Sequence, residues 1–552
     1  YTTLFRSTML LYCLPGALVL RLYDTYIPMP ARAALSFLLG LGTMALLGEA
    51  LGFTGFFHGA GAAIGYALLC LILLAAGIAR HVRREATRDS GGGNPWVRIT
   101  GHQVAMEAYG RTIMYPAGFQ EMALYTGMTA ATAICVLLWF YHGLFYPITY
   151  WDSFSYLGMA RTLYLTHRFP VSVVSQMSLG TGSNYPQMYR IASALPCALA
   201  GRWTDVPAQM LAPVAGLFSA ALIYHTVLRL FRHRLTASCC ALLFCCIPYV
   251  TRYFTFSSDY CLTVLFTAGF LYLSLMYLES GLWGYLALSA ITAAFSCHIN
   301  YLMPLLFVGW FFLIFLCHAG KTRLPGSGEE NAVINQHPDV PGPTEVHEPE
   351  FTHVEHVSRL FALLFSRRFL KLFVILILLA SPWYLRNILV TGNPVYPYFS
   401  SLLGGRNIRS DILRSMQGEW LENGDGIEKA ALTLLAQKIS SGDMSDRDRN
   451  SWIKAEDEHG VQLSLKARIL ATPYFFITSP YWSWALAPLF LSLALPGFIL
   501  WTGKPLIRLM RRWKSKGDAK EPFLTDEARF GLLCAFLFAG YFGYHYLMAG
   551  YY

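Results

Sequence analysis

Apolar runs long enough to cross a lipid bilayer recur from one end of this sequence to the other, and nothing constrains its fold more. A helix needs roughly 20 apolar residues to span the hydrocarbon. Runs of about this kind stand near 32–52, 60–79, 123–145, 206–228, 235–251, 260–278, 283–297, 301–317, 369–383, 476–501 and 530–549, with a shorter one near 9–22. They are continuous rather than alternating, so they read as helices and not as barrel strands. Only 13% of the 552 residues are charged and 55% are hydrophobic, against about 25% charged in an ordinary soluble domain. The expected fold is an all-α polytopic membrane protein.

The net charge of +10 comes from basic residues in short loops between apolar runs, where they mark topology rather than a nucleic-acid surface. Arg80, Arg83, Arg84 and Arg88 close the third run and place the following loop inside, with its Gly-rich link at 91–95. The run at 123–145 then leads outward. Arg229, Arg232, His233 and Arg234 are inside, as are Glu279, the Pro- and Glu-rich stretch 318–368, and the cluster Arg508, Arg511, Arg512, Lys514 and Lys516. One orientation satisfies every basic cluster. Under it the segment 188–201 cannot also span, and is expected to be interfacial or re-entrant and buried against protein.

This parity divides the chain into N-terminal helices with a basic loop (1–122), a membrane core (123–317), a disordered cytoplasmic loop (318–368), a further core helix (369–389), an external loop (390–475) and C-terminal helices (476–552). The opening YTTLFRS, with no Met before Met9, is read as a non-native lead-in, and the last run as cut short. Of the 12 cysteines, Cys239, Cys240, Cys245, Cys246, Cys297 and Cys317 lie within apolar runs as small hydrophobes. No disulfide framework or metal-ligand spacing is seen.

The stretch 146–170, YPITYWDSFSYLGMARTLYLTHRFP, places Asp152 just outside an apolar run. Phe154, Leu157, Met159 and Leu163 follow at helix-like intervals, which suits a helix lying on the membrane surface. Asp259, His298 and Arg386 arrive on the same outer side, each at the end of a different run. Ionisable groups at the edge of hydrocarbon are costly unless paired or used. Asp152 suits a general base towards a hydroxyl nucleophile. Arg386, Arg252, His298 and Tyr384 could hold a departing phosphate, and Asp259 could orient an acceptor or hold Arg252 or Arg386. Arg161, Asn184, Tyr185 and Arg190 are read as fixing the loop rather than touching substrate.

Several segments together resemble the GT-C membrane glycosyltransferases of the protein O-mannosyltransferase and aminoarabinose-transferase type. WDSFSYLGMARTLYLTHRFP (151–170) is similar to that superfamily's first external loop, and NYPQMYRIASALPCALAG (184–201) stands in the place of its "HPPLY" segment. SSDYCLTVLFTAGFLYLSLMYLESG (257–281) resembles the segment with a second acid, and SPWYLRNILVTGNPVYPYF (381–399) the "PW..RN....GNP..P" pattern. Two departures stand out: NYPQ replaces His-Pro-Pro, and His298 stands where relatives often carry Lys.

The resemblance implies a GT-C-like bundle of about a dozen transmembrane helices. It also implies transfer of a sugar from a polyprenyl-phosphate carrier to an extracytoplasmic lipid, glycan or protein acceptor, in a bacterial inner membrane and without a cofactor. The alternatives are a transporter or flippase of lipid-linked sugars, or an O-antigen ligase or polymerase. HEPEFTHVEH (347–356) is read as a solvated linker rather than a metal site, and Asp446, Asp448 and Asn450 as an incomplete calcium loop, because Ser451 holds the glycine position. The small residues Gly40, Gly42, Gly59, Gly61 and Gly65 are read as helix packing.

Overall fold

The computed structural model describes residues 2–23, 25–89, 113, 118–146, 151–169, 185–318, 366–395, 403, 528–537 and 540. Among them every regular element is a helix. In chain order these are α1 (Thr2–Arg21), α2 (Met29–Thr54), α3 (Gly59–Asp89), α4 (Phe119–Phe145), α5 (Trp151–Thr166), α6 (Met188–Ala200), α7 (Val206–Phe231), α8 (Arg234–Cys246), α9 (Pro248–Thr255), α10 (Tyr260–Ser280), α11 (Trp283–Ser296), α12 (Pro304–His318), α13 (Arg367–Ala380) and α14 (Pro382–Thr391), followed by α15 (Ala528–Leu537). Five of them, α2, α3 (over Gly59–Arg83), α4, α7 and α10, are long and apolar enough to cross a membrane, and the bent pair α13–α14 makes up to six. The protein is membrane-embedded.

Local chemistry sets the helix ends. Proline at the first turn of α7, α9 and α14 gives up an N–H that would have no helical partner. Gly392 ends α14 at φ +81°, a left-handed conformation that a side chain would strain, and its N–H closes on Ile388 O. The run read as one span over 235–251 is broken instead. α8 stops at Cys246 and α9 begins at Pro248, because proline cannot continue the hydrogen-bond ladder. Arg367 and Arg368, expected at the end of a disordered loop, open α13, whose first turn is capped by Ser366 Oγ accepting from Phe369 N at 3.2 Å.

Burial separates two kinds of spanning helix. Only 6% of the apolar stretch of α3 and 11% of that of α4 is buried, against 78% for α2 and 72% for α7 and α10. α3 and α4 therefore offer Ile64, Leu68, Ile72, Leu137 and Leu138 to lipid, and α2 is central. Its glycines permit that. A Cβ on Gly40 would lie 1.6 Å from Tyr12 O, one on Gly42 would lie 2.2 Å from the Phe295 ring, and one on Gly48 would lie 2.2 Å from Ile191. Small residues let backbones approach where apolar lipid provides no hydrophobic drive for association.

α6, only 13 residues long, is too short to span and is buried nearly throughout between α2, α3, α5 and α7. α5 is a helix as expected, but Leu157, Met159 and Leu163 are buried, and α5 packs on α6. The apolar face expected to lie on the membrane surface thus packs against protein.

Candidate functional site

At one end of the bundle the α11–α12 turn meets the C-terminal part of α2, the entry to α6, the start of α10 and the α13–α14 bend. Asp259 precedes α10 and is 3% exposed. An aspartate there would ordinarily cap the helix, yet its carboxylate makes no cap bond. Asn300 Nδ2 faces its Oδ2 at a long 3.4 Å and donates more closely to Thr263 Oγ1, at 2.9 Å. Burial, and then Asp259, push the Tyr156 phenol well above its usual pKa, so it stays a neutral donor to that carboxylate.

Arg190 is the neighbouring cation, only 3% exposed. Its guanidinium lies over the Tyr156 ring at 4.7 Å, and Nη1 reaches Tyr185 O at 3.5 Å. Burial lowers its pKa, while Tyr156 and Asp259 oppose that; a guanidinium remains charged all the same. Its Nε has no hydrogen-bond partner among the described residues. Residues read as loop-fixing from the sequence, Tyr185 and Arg190, thus stand inside the polar cluster. Arg190's guanidinium is within electrostatic reach of Asp259.

α14 supplies the opposite wall. Arg386 lies over the buried Trp383 ring at 4.9 Å and donates to Asn387 Oδ1 at 2.9 Å. Asn387, fully buried, donates to Tyr301 Oη at 2.7 Å. Tyr384 Oη donates to Cys297 O at 3.2 Å. The Tyr301 ring stands 5.3 Å from Tyr185 and 6.0 Å from Tyr384, and its hydroxyl is within electrostatic reach of both Arg190 and Arg386.

His298 is turned away from any phosphate. It is wholly buried, with Nδ1 2.7 Å from Glu49 Oε1 and Nε2 2.6 Å from Leu379 O. The sequence reading gave it to a donor phosphate; in the structure both ring nitrogens are engaged within the protein. A carbonyl can only accept, so Nε2 is the donor to Leu379 O, and the Glu49 carboxyl beside Nδ1 and the Leu379 carbonyl together raise the imidazole's pKa against the pull of burial. Glu49 was missed by sequence reading. Its signal was a lone carboxylate inside an apolar run, which is by default a functional position.

The remaining candidates are placed as follows. Arg252 on α9 lies over the Phe256 ring at 5.5 Å. Arg161 is exposed. Asp152 occupies the first turn of α5, four residues before Tyr156 and so at the helix repeat that shares its face; its side chain is outside the described residues, as is Asn184. Sequence reading also passed over Tyr156, Asn300, Tyr301 and Asn387, polar residues beside the charged ones it singled out. Among the described residues no group of three or more His, Cys, Asp or Glu could hold a metal ion. The loop motifs at 347–356 and 446–457 lie outside those residues.

No family model, curated protein or solved structure matches this chain. The arrangement itself is one carboxylate, two guanidiniums and a ring of phenols and amides, closed in by apolar helices. Guanidiniums and phenols suit a phosphate, aromatic faces suit a sugar ring, and α3 and α4 give the bundle a lipid-facing side.

Proposed function

We propose that this chain is an integral-membrane glycosyltransferase of the GT-C type, built on a bundle of about a dozen transmembrane helices. It moves a sugar from a polyprenyl-phosphate carrier to a lipid, glycan or protein acceptor on the external face of a bacterial inner membrane. Asp152 takes the proton of the acceptor hydroxyl as its oxygen bonds to the anomeric carbon, and the bond from that carbon to the phosphate oxygen breaks. Arg386, Arg190 and the phenol of Tyr301 hold the charge that develops on the departing phosphate, while Tyr384, whose hydroxyl donates to Cys297 O, fixes that wall. Asp259 orients the acceptor through Tyr156 and Asn300. Arg252 of α9 serves as a further cation for the lipid phosphate. No cofactor is required by this chemistry.

One observation carries the reading. A buried carboxylate, two guanidiniums and several tyrosines from five separate segments converge at one end of an apolar bundle, with Asp152 one turn along α5 from Tyr156. The motif resemblance supplies the substrate class.

The test is release of polyprenyl phosphate from a panel of radiolabelled polyprenyl-phosphate sugars by purified protein, with membrane extract as acceptor. Wild type should turn over at least one donor, and Asp152→Asn should lose about a hundredfold or more. Unchanged turnover in the mutant moves the base to Asp259. Binding without turnover across the whole panel rejects the enzyme and favours a flippase of lipid-linked sugars.

A further inference from the structure

His298 stands where the segments that carry the site meet. Its ring joins Glu49 of α2 to Leu379 of α13, and its carbonyl accepts from Met188 N at 2.8 Å, tying down the entry to α6. Its chain neighbours do the rest. Cys297 O accepts from Tyr384, Asn300 faces Asp259, and Tyr301 binds Asn387.

The Leu379 bond matters most, because α13 and α14 meet at a 53° bend. Pro382 opens α14, and the last carbonyls of α13, Leu379 O among them, run out of helical donors at the break and need another one. Leu379 O finds one in His298 Nε2. α14 then carries Trp383, Tyr384, Arg386 and Asn387, so the angle at the break decides where those four side chains fall.

We propose that His298, locked by Glu49, is the positioning residue of this site: it clamps the α13–α14 bend and so aims Tyr384, Arg386 and Asn387 at Tyr301. A buried ion pair is weak as a stabilising device, since apolar residues of equal volume often do as well. What this pair adds is direction. Glu49 and His298 lie 249 residues apart in sequence, and the ring's two nitrogens point to two different helices. A pair serving only to pack α2 on the turn would have no use for the second bond. His298 does not touch substrate in this scheme and acts through α14. Only the choice of ligand in the test below rests on the glycosyltransferase reading.

The variants follow from side-chain length. An asparagine amide reaches where Nδ1 lies and a glutamine amide where Nε2 lies. His298→Asn keeps the Glu49 bond and drops Leu379. The pair Glu49→Gln with His298→Gln removes both charges and keeps a donor at Leu379. Each is made in the full chain in lipid nanodiscs and read by amide hydrogen exchange over residues 379–391 and by binding of sugar-free polyprenyl phosphate.

His298→Asn should speed exchange at the bend about tenfold or more while amides of α7 and α10 stay protected, and should weaken polyprenyl phosphate about tenfold. The double Gln variant should stay within about threefold of wild type in both. Wild-type exchange at the bend in His298→Asn overturns the clamp, and so does equal loss in both variants, which would make the histidine merely structural. Should wild type bind no polyprenyl phosphate, the donor assignment fails and the exchange result still decides the clamp.

Discussion

The two ends of the bundle each hold an ion pair, and they are built differently. At the end with the basic loops, Arg229 Nη1 meets Glu279 Oε2 at 3.3 Å, with side chains 8% and 26% exposed. Around it the contacts are simple: Arg80 rests over the Tyr23 ring and Tyr285 donates to Tyr26 O. At the other end His298 and Glu49 are 0% and 1% exposed and 2.7 Å apart, within a web of tyrosines, amides and Arg190. Desolvating charge is expensive, and a chain that does so repeatedly at one end has concentrated its cost where geometry must be fixed. The difference teaches that the two ends are built to different tolerances: the basic-loop end needs only charge near charge, and the buried end needs fixed geometry.

The sharpest way to break that contrast is to remove one partner at the buried end. His298→Ala leaves Glu49 as an uncompensated buried carboxylate, and Glu49 Oε2 already lacks a hydrogen-bond partner among the described residues. The loss should be about 3–5 kcal/mol of stability, seen as a large fall in the unfolding temperature of the detergent-solubilised protein. A shift no greater than that from a surface charge would mean water reaches the pair and the contrast between the ends is false.

Arginines give the next test, since each end has a buried one. Arg190 packs its flat guanidinium on Tyr156, an arrangement a lysine ammonium cannot reproduce. Arg190→Lys should lower polyprenyl-phosphate-dependent turnover by about tenfold, with little change in melting. Arg229→Lys, which needs only a point charge near Glu279, should leave turnover within about twofold. Equal effects would erase the distinction between a chemical and a topological cation.

Much of this division was legible in the sequence, because counting crossings fixes parity. Runs of apolar residues put Asp259, His298 and Arg386 at one side and Arg229 and Glu279 at the other, and those residues do gather at two sites. Pairing within a side was not legible. Glu49 and His298 sit at opposite ends of the core sequence, and only the close packing of α2, through Gly42 against Phe295 and Gly48 against Ile191, brings them together. Arg190 was undervalued for a related reason: a short helix with an arginine in its first turn reads as a loop anchor until neighbours cover it on every side. The break at Pro248 was visible as a residue but hidden in an unbroken hydropathy signal.

Acidity separates the ends more gently. Burial pushes the His298 imidazole down, but the Glu49 carboxylate and the Leu379 carbonyl push it up by more, so it holds its proton above the ordinary value of 6.5. A raised folded-state value means the stabilisation is complete below about 6.5 and is lost as pH rises through that higher value. Melting temperature should therefore fall as pH rises above about 6.5, and Glu49→Gln, which lets a neutral ring donate to Leu379 and accept from the new amide, should flatten the decline. An unchanged slope in Glu49→Gln would assign the titration to another group.

The smallest effect belongs to the basic-loop end. Glu279→Gln removes the charge from a partly exposed pair whose carboxylate can turn to water, so the cost should be about 0–1 kcal/mol and should shrink further in salt. Arg229 is itself buried at 8% exposure, and it is the Glu279 side of the pair, at 26%, that water reaches. Measured beside His298→Ala in the same detergent, the two changes should differ several-fold in melting shift. If they do not, the Arg229–Glu279 pair is as deeply committed as its counterpart. The basic-loop end would then have to be read as a second organised site rather than as a topological anchor.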